Sequence, residues 1–117
     1  MPFDRAKIDP QVLACRQTTD GVELDLRIDA DLAPLAGHFP DAPVLPGVVQ
    51  IDWCVHLGRE RLALRGGFRS LEQIKFLAPI VPSVTVSLLL ELRGARLKFA
   101  YFQKEKKFSS GTIVFGA

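Results

Sequence analysis

A strict alternation of apolar and charged residues runs from Gly21 to Asp29. Every even-numbered position from 22 to 28 carries an aliphatic residue, and every odd-numbered position from 23 to 29 carries a charged one. This period of two predicts a β-strand that buries one face. We expect Gln11–Gln17 to be its partner strand, because the turn-like residues between the two, Thr18–Gly21, can close a hairpin.

A proline-rich segment, residues 36–47, separates this hairpin from a long helical pattern. Its prolines are spaced three residues apart, which fixes φ repeatedly and removes backbone donors, so the pattern predicts a stiff, irregular loop. Pro46 is a favoured residue for the first position of a helix, and Gly66 and Gly67 can end one. The sequence therefore predicts one helix from Pro46 to about Arg65.

The first half of this helix is apolar on nearly every side of its axis. A helix without a polar face is typical of a buried core helix, so we expect this half to be covered on all sides. The second half, after Gly58, is polar enough to emerge into solvent. The apolar residues are Val48, Val49, Ile51, Trp53, Cys54, Val55 and Leu57.

Four further strand patterns follow the helix, and short turns join the last three into an antiparallel meander. Two strands, one helix and four strands predict an α+β fold in which an antiparallel sheet wraps the single helix. A chain of 117 residues suits one core, so we expect a single domain over residues 1–117. The four strands are Phe68–Leu77, Ser83–Arg93, Arg96–Lys104 and Phe108–Phe115.

The composition is that of a globular protein, with 48% apolar and 24% charged residues. The net charge of +2 comes from charges of both signs scattered along the chain, which argues against nucleic-acid binding. One basic cluster is either a solvated face or a contact for an acidic protein partner. It consists of Arg59, Arg61, Arg65 and Arg69.

Neither a signal peptide nor a membrane span is predicted, because no apolar run reaches the required length. Cys15 and Cys54 do not have the spacing of a metal site, and we expect two reduced, buried thiols. Together these features predict a soluble, cytoplasmic protein.

Asp52 is a carboxylate in the apolar half of the predicted helix, with valines one turn before and after it. Burying an unpaired carboxylate is unfavourable. We therefore expect desolvation to favour the protonated carboxyl group, which can then deliver a proton near neutral pH. The alternative is a core aspartate that only satisfies neighbouring backbone groups.

Three other residues are candidates for chemistry beside Asp52. His38 opens the stiff proline segment, and an imidazole suits proton abstraction, although a single loop histidine is more often a surface or packing residue. Gly47, in the first helical turn, offers free N–H groups and close backbone approach to a developing oxyanion, unless it only serves loop geometry. His56 lies one turn after Asp52; no third metal ligand is evident, so it either orients Asp52 or is a plain polar residue.

The segment GHFPDAPVLPGVVQID, residues 37–52, resembles the active-site segment of the FabZ/FabA family of 3-hydroxyacyl-acyl-carrier-protein dehydratases. It combines GHFP, two further spaced prolines, PGV and an acidic residue at a fixed distance from the histidine. Asp52-Trp53 is similar to the version in ApeI-like dehydratases of aryl polyene pathways. Asp52 stands where FabZ proteins have glutamate and FabA proteins have aspartate, and His56 replaces a glutamine often seen in FabZ.

The resemblance implies a hotdog fold, in which a curled antiparallel sheet of about six strands wraps one long central helix. It also implies a homodimer or higher oligomer, in which the histidine of one subunit lies near the acid of the other. Carried over by position, the catalytic histidine is His38, the catalytic acid is Asp52, and the carbonyl-binding amide is that of Gly47. No metal or redox cofactor is implied.

The implied reaction is the dehydration of a 3-hydroxyacyl thioester to a trans-2-enoyl thioester in fatty acid or aryl polyene/polyketide-type biosynthesis. The acyl group would be carried by acyl carrier protein or by coenzyme A. Two other interpretations stay open. A hotdog acyl thioesterase is disfavoured by the loop from GHFP to PGV, and a non-catalytic acyl- or carrier-binding subunit by the presence of both His38 and Asp52.

Overall fold

The computed structural model of the chain describes residues 8–29, 44–82 and 84–116. The predicted order of two strands, one helix and four strands is confirmed. Most of the predicted proline loop, including His38, lies outside the described residues. The elements are β1 (Gln11–Gln17), β2 (Gly21–Ile28), α1 (Gly47–Arg61), β3 (Gly67–Phe76), β4 (Val84–Arg93), β5 (Arg96–Gln103) and β6 (Lys106–Gly116).

The strands form one six-stranded antiparallel sheet in the order β1-β2-β4-β5-β6-β3. The predicted antiparallel meander β4-β5-β6 is confirmed and lies between β2 and β3, and β1 and β3 are the edge strands. The chain crosses from β2 to the far edge through α1, so the helix packs on one face of the sheet. The alternation in β2 and β4 pairs aliphatic residues directly opposite one another on that face, as with Leu24 and Leu88.

The core lies between this face and α1. Its largest side chains, Trp53 from the helix and Phe99 and Tyr101 from β5, are no more than 1% exposed. The rings of Phe99 and Tyr101 meet edge to face at 6.0 Å. Aliphatic side chains of β2, β4 and β6 fill the remaining volume.

The prediction that the first half of α1 is buried on all sides is wrong for the single chain. Val48 is 75% exposed, and Asp52 is exposed as well. The physical reason is that a curled sheet encloses only the side of a helix that faces it. The residues that α1 buries are Gln50, Trp53, Cys54, Leu57 and Gly58.

The helix also ends earlier than predicted, at Arg61 instead of about Arg65. Leu62 is extended, and Leu64 turns back into the core, where it is 7% exposed and packs close to Gly58. The chain therefore leaves the helix after Arg61 and buries Leu64 in the core, where a last helical turn was predicted. Gly66 then adopts a φ of 87°, a left-handed conformation that suits glycine, and leads the chain into β3.

β3 contains a bulge that the sequence pattern did not predict. Gln73 has a φ of 53°, and the pairing with β6 shifts between Glu72 and Lys75. The bulge places Ile74 over Gly111, where an added Cβ would lie only 2.3 Å from the Ile74 Cδ1 atom. Gly111 therefore leaves the space that this isoleucine fills.

Among the described residues, no helix is long and apolar enough to cross a membrane.

Gly21, at the start of β2, is the glycine whose replacement should disturb this sheet most. An added Cβ would lie 1.8 Å from the Leu90 carbonyl oxygen, which is backbone and cannot turn away. We expect Gly21→Ala to lower the free energy of unfolding by more than about 2 kcal/mol. Gly67→Ala, with no atom within 4 Å of the added carbon, should change it by less than about 0.5 kcal/mol. Urea unfolding measures both, and equal losses would contradict the close approach at Gly21.

Candidate active site at the start of the helix

The first turn of α1 presents backbone N–H groups that the helix does not use. Pro46 is extended, and its carbonyl oxygen accepts hydrogen bonds from the N–H groups of Val49 and Gln50 at 3.1 and 3.2 Å. Within the described part of the chain, the N–H groups of Gly47 and Val48 have no hydrogen-bond acceptor, and no side chain caps the helix. These amides and the helix dipole favour negative charge at this position.

A shallow groove of about 370 Å³ lies beside these amides. The aromatic ring of Phe76, at the end of β3, forms one wall and lies directly over the Gly47 Cα, where an added Cβ would be 2.5 Å from the ring. The groove is lined by Val44, Leu45, Pro46, Gly47, Gln50, Phe76, Leu77, Ala78 and Pro79. The structure places Gly47 at the first helical position beside this groove, and a role of its amide in binding a ligand stays a prediction.

Gln50 is the buried polar side chain behind this groove, and the sequence pattern did not predict a role for it. It is 3% exposed. Its Nε2 donates to the Leu45 carbonyl oxygen at 3.2 Å, and its Oε1 accepts from the Ser109 hydroxyl at 2.7 Å. The signal that could have found it is a glutamine within a largely apolar half-helix.

Two further polar groups lie next to Gln50 in the core. The Tyr101 hydroxyl donates to the Gln50 backbone carbonyl oxygen at 2.7 Å, and the Cys54 thiol contacts that hydroxyl at 3.6 Å. Burial raises the pKa of the Cys54 thiol and of the Tyr101 hydroxyl well above their ordinary values. Both groups therefore stay neutral across the physiological pH range.

The prediction of two buried thiols holds for one of them. Cys54 is buried and Cys15 is exposed on the edge strand β1, and both are free thiols. An edge strand covers less of its side chains than a central strand does, which the spacing of the two cysteines does not reveal.

Asp52 lies on the side of α1 that the sheet does not cover. It is exposed in the single chain, contrary to the predicted burial. His38, its predicted partner, lies outside the described residues. Their pairing and their catalytic roles therefore stay predictions.

His56 lies on α1 and contacts acidic groups. Its Nε2 atom lies 3.1 Å from Asp9 Oδ2 and 3.5 Å from Glu60 Oε2. The neighbouring Trp53 indole donates to the Ile8 carbonyl oxygen at 3.0 Å. The contacts of His56 with Asp9 and of Trp53 with Ile8 tie the segment before β1 to the helix. An orienting role of His56 toward Asp52 stays a prediction. Among the residues described, no three His, Cys, Asp or Glu side chains are grouped so as to hold a metal ion.

The predicted arginine cluster is partly used within the protein. The Arg59 guanidinium donates to the Gly66 carbonyl oxygen at 2.8 Å and lies 5.5 Å above the Phe115 ring. The Arg69 side chain passes over the neighbouring Gly116. Arg59 therefore secures the chain after α1, and contact of the cluster with an acidic partner stays a prediction.

A curled antiparallel sheet packed around one helix, with a groove at the helix start, defines a hotdog-fold protein, as the sequence predicted. The family model described as ApeI-like, ApeI dehydratase, matches residues 14–112. The chain belongs to this family of ApeI-like dehydratases.

Two solved structures share the fold over nearly their whole length. The chain is 32% identical to a chain of the dehydratase heterocomplex ApeI:P from Xenorhabdus doucetiae, with a TM-score of 0.86, and the match covers 93% of this chain and 99% of that one. An uncharacterized protein from Erwinia carotovora subsp. atroseptica is 36% identical with a TM-score of 0.80, and 92% and 95% of the two chains are covered.

Curated relatives match over a shorter span. The 3-hydroxyacyl-[acyl-carrier-protein] dehydratase FabZ of Erythrobacter litoralis is 34% identical over an alignment of 76 residues, and the match covers 57% of this chain and 50% of that protein. The FabZ of Novosphingobium aromaticivorans is 35% identical over an alignment of 75 residues, and the match covers 56% of this chain and 48% of that protein. The chain thus spans about half the length of the curated relatives it matches.

The contact between Gly47 and Phe76 can be tested by adding the missing Cβ. The Phe76 ring is 53% exposed and can turn away, so we expect Gly47→Ala to change the free energy of unfolding by less than about 1 kcal/mol. Urea unfolding measures this, and NMR shifts of the Phe76 ring protons should report its displacement. A loss of more than about 2 kcal/mol would show that the ring is locked against the helix.

Proposed function

We propose that this protein removes water from 3-hydroxyacyl thioesters to give trans-2-enoyl thioesters, with the acyl group carried by acyl carrier protein. The observation that carries the proposal is the amide of Gly47 at the start of α1, which has no acceptor among the described residues and belongs to a residue that lines an apolar groove. The ApeI-like family match and the curated relatives, which are named 3-hydroxyacyl-acyl-carrier-protein dehydratases, support the same reaction.

In the proposed mechanism, the Gly47 amide donates a hydrogen bond to the thioester carbonyl oxygen. This stabilises the negative charge that develops there when His38 removes the proton from C2. The electron pair of that C–H bond forms the C2–C3 double bond, and the C3–O bond breaks. Asp52 gives its proton to the departing hydroxyl group, so one water molecule leaves. Transfer of a proton from His38 to Asp52, directly or through water, restores both groups.

The mechanism requires an environment that the single chain does not provide. A carboxyl group that donates a proton near neutral pH needs a desolvated setting, and Asp52 is exposed. We therefore infer that a second copy of the chain covers this side of α1 and brings its own His38 to Asp52.

Exposed apolar residues support such a homodimer. Phe68, Leu71 and Phe76 pair with inward-facing residues of β6, so they lie on the same sheet face as α1, and they are 59%, 41% and 53% exposed. With Val48 they form what we call the open face. β3 is also an edge strand with backbone groups available for pairing. A second copy can extend the sheet along β3 and cover the open face at once.

The reaction is tested by following the interconversion of 3-hydroxyacyl and trans-2-enoyl thioesters by ultraviolet absorbance. We expect the native protein to catalyse it, and His38→Ala and Asp52→Asn each to reduce the rate by at least about 100-fold. Glu60→Gln, which removes another carboxylate of α1, should leave the rate unchanged. Circular dichroism verifies that each variant is folded.

Other outcomes of this assay contradict the proposal in different ways. Release of free thiol by the native protein would identify a thioesterase. Neither reaction on short, long and aryl acyl groups would leave a non-catalytic acyl- or carrier-binding subunit as the better description.

Sharing of the site between subunits is tested by mixing the two inactive variants. His38→Ala and Asp52→Asn chains with different affinity tags are expressed together, and the mixed dimers are isolated through both tags. Each mixed dimer contains one intact and one doubly disabled site if the sites are shared, so we expect about half of the native rate per dimer. Mixed dimers as inactive as either parent would show that each site is built within one chain.

A further inference from the structure

Gln50 occupies a position where a polar side chain needs a specific reason. It lies on the buried face of α1 beside Trp53 and Cys54, and only 3% of it is exposed. Burying an amide without hydrogen bonds is unfavourable. Both ends of the Gln50 amide are paired, and the two partners come from different parts of the fold, Leu45 before the helix and Ser109 in β6.

These bonds hold the segment that leads into the helix. The Leu45 carbonyl oxygen accepts from Gln50, and the Leu45 N–H donates to the Ile80 carbonyl oxygen at 2.8 Å. The Leu45 side chain is 3% exposed. Both polar groups of this residue and its side chain are therefore fixed.

The fixed Leu45 determines where the Gly47 amide points. Pro46 is the single residue between Leu45 and Gly47 and has a φ of −60°. Its ring prevents rotation about its own N–Cα bond. The Pro46 carbonyl oxygen, which shares a peptide plane with the Gly47 N–H, accepts from the N–H groups of Val49 and Gln50. The plane that carries the Gly47 N–H is thus held from both sides, and Gln50 contributes on each side.

We propose that Gln50 is a positioning residue, which aims the Gly47 amide at the reacting carbonyl oxygen by fixing Leu45 against Ser109. The inference rests on the proposed function, in which that amide stabilises the developing oxyanion. A leucine at position 50 would suit the core equally well in size, but it would leave the Leu45 carbonyl and the Ser109 hydroxyl without partners. Gln50 therefore sets the direction of the Gly47 N–H in addition to filling space in the core.

Gln50→Leu tests the proposal by removing both side-chain bonds. A misdirected amide weakens an interaction that strengthens in the transition state, so kcat should fall by about 10- to 100-fold while KM changes by less than about threefold. The matched control is Tyr101→Phe, which removes a bond to the Gln50 backbone carbonyl and keeps the Gln50 side chain. It should lower the melting temperature without a comparable loss of kcat.

Gln50→Glu gives a pH signature that a general loss of packing would not. The protonated carboxyl group can donate to the Leu45 carbonyl oxygen and accept from Ser109, but the ionised group can only accept. Of the titratable groups described near this position, Cys54 and Tyr101 stay neutral, and a negative charge on Asp52 acts on both of them. Burial and such a charge both raise the pKa of a glutamate at position 50. The bond is therefore present at low pH and lost as pH rises. Relative to the native protein, kcat of the variant should fall by about tenfold or more between about pH 5.5 and 8.5.

Three results separate the possibilities. Native-like kcat in both Gln50 variants, with only the melting temperature lowered, would overturn the positioning role. A native protein that is inactive on every thioester would overturn the proposed function. In that case the NMR shift of the Gly47 amide still decides whether Gln50 holds it: a shift in Gln50→Leu that is absent in Tyr101→Phe supports the contact, and no shift in either refutes it.

Discussion

The packing of one helix against one side of a curled sheet is the constraint on which the rest of the structure depends. Trp53 fills the space between α1 and the sheet and is fully buried. Because the sheet encloses only the side of α1 that faces it, Val48 and Asp52 remain on an uncovered side. The same packing brings the start of α1 beside Phe76 at the sheet edge, so Gly47, whose amide has no acceptor among the described residues, lines a groove. The fold thereby separates a part of the site that one chain builds from a part that we assign to a second copy.

Much of the fold could be predicted because its signals are local. The alternation in β2 and β4 reports which side chains face the core, and Pro46 marks the helix start one residue before Gly47. Features that depend on distant contacts could not be predicted. The helix ends at Arg61 because Leu64 enters the core, and β3 bulges at Gln73 because Gly111 leaves room for Ile74. The exposure of Asp52 belongs to the same group, because residue hydrophobicity along α1 does not tell which sides the sheet covers.

The candidate site likewise has one part that could be predicted from the sequence and one part that could not. Gly47 could be recognised from its place in the first helical turn, where the structure also finds it. Gln50 could not be assigned a role, because its partner Ser109 is 59 residues away and no local pattern joins the two. Membership of the ApeI-like dehydratases gives this arrangement a chemical meaning. The buried Gln50 side chain fixes the direction of the Gly47 N–H, and the proposed reaction uses this N–H to bind the thioester carbonyl oxygen.

The proposed shared site requires that the side of α1 carrying Val48 and Asp52 is covered in the working protein. Maleimide labelling of the Val48→Cys variant under native conditions tests this most directly. Cys15 is exposed on the edge strand β1, at the other edge of the sheet from β3, and serves as an internal reference. Cys54 is buried and should not react. We expect the thiol at position 48 to react at least about tenfold more slowly than Cys15, and we expect the difference to disappear in urea. Equal rates under native conditions would contradict it, because a residue that is 75% exposed in the single chain would then remain exposed in solution.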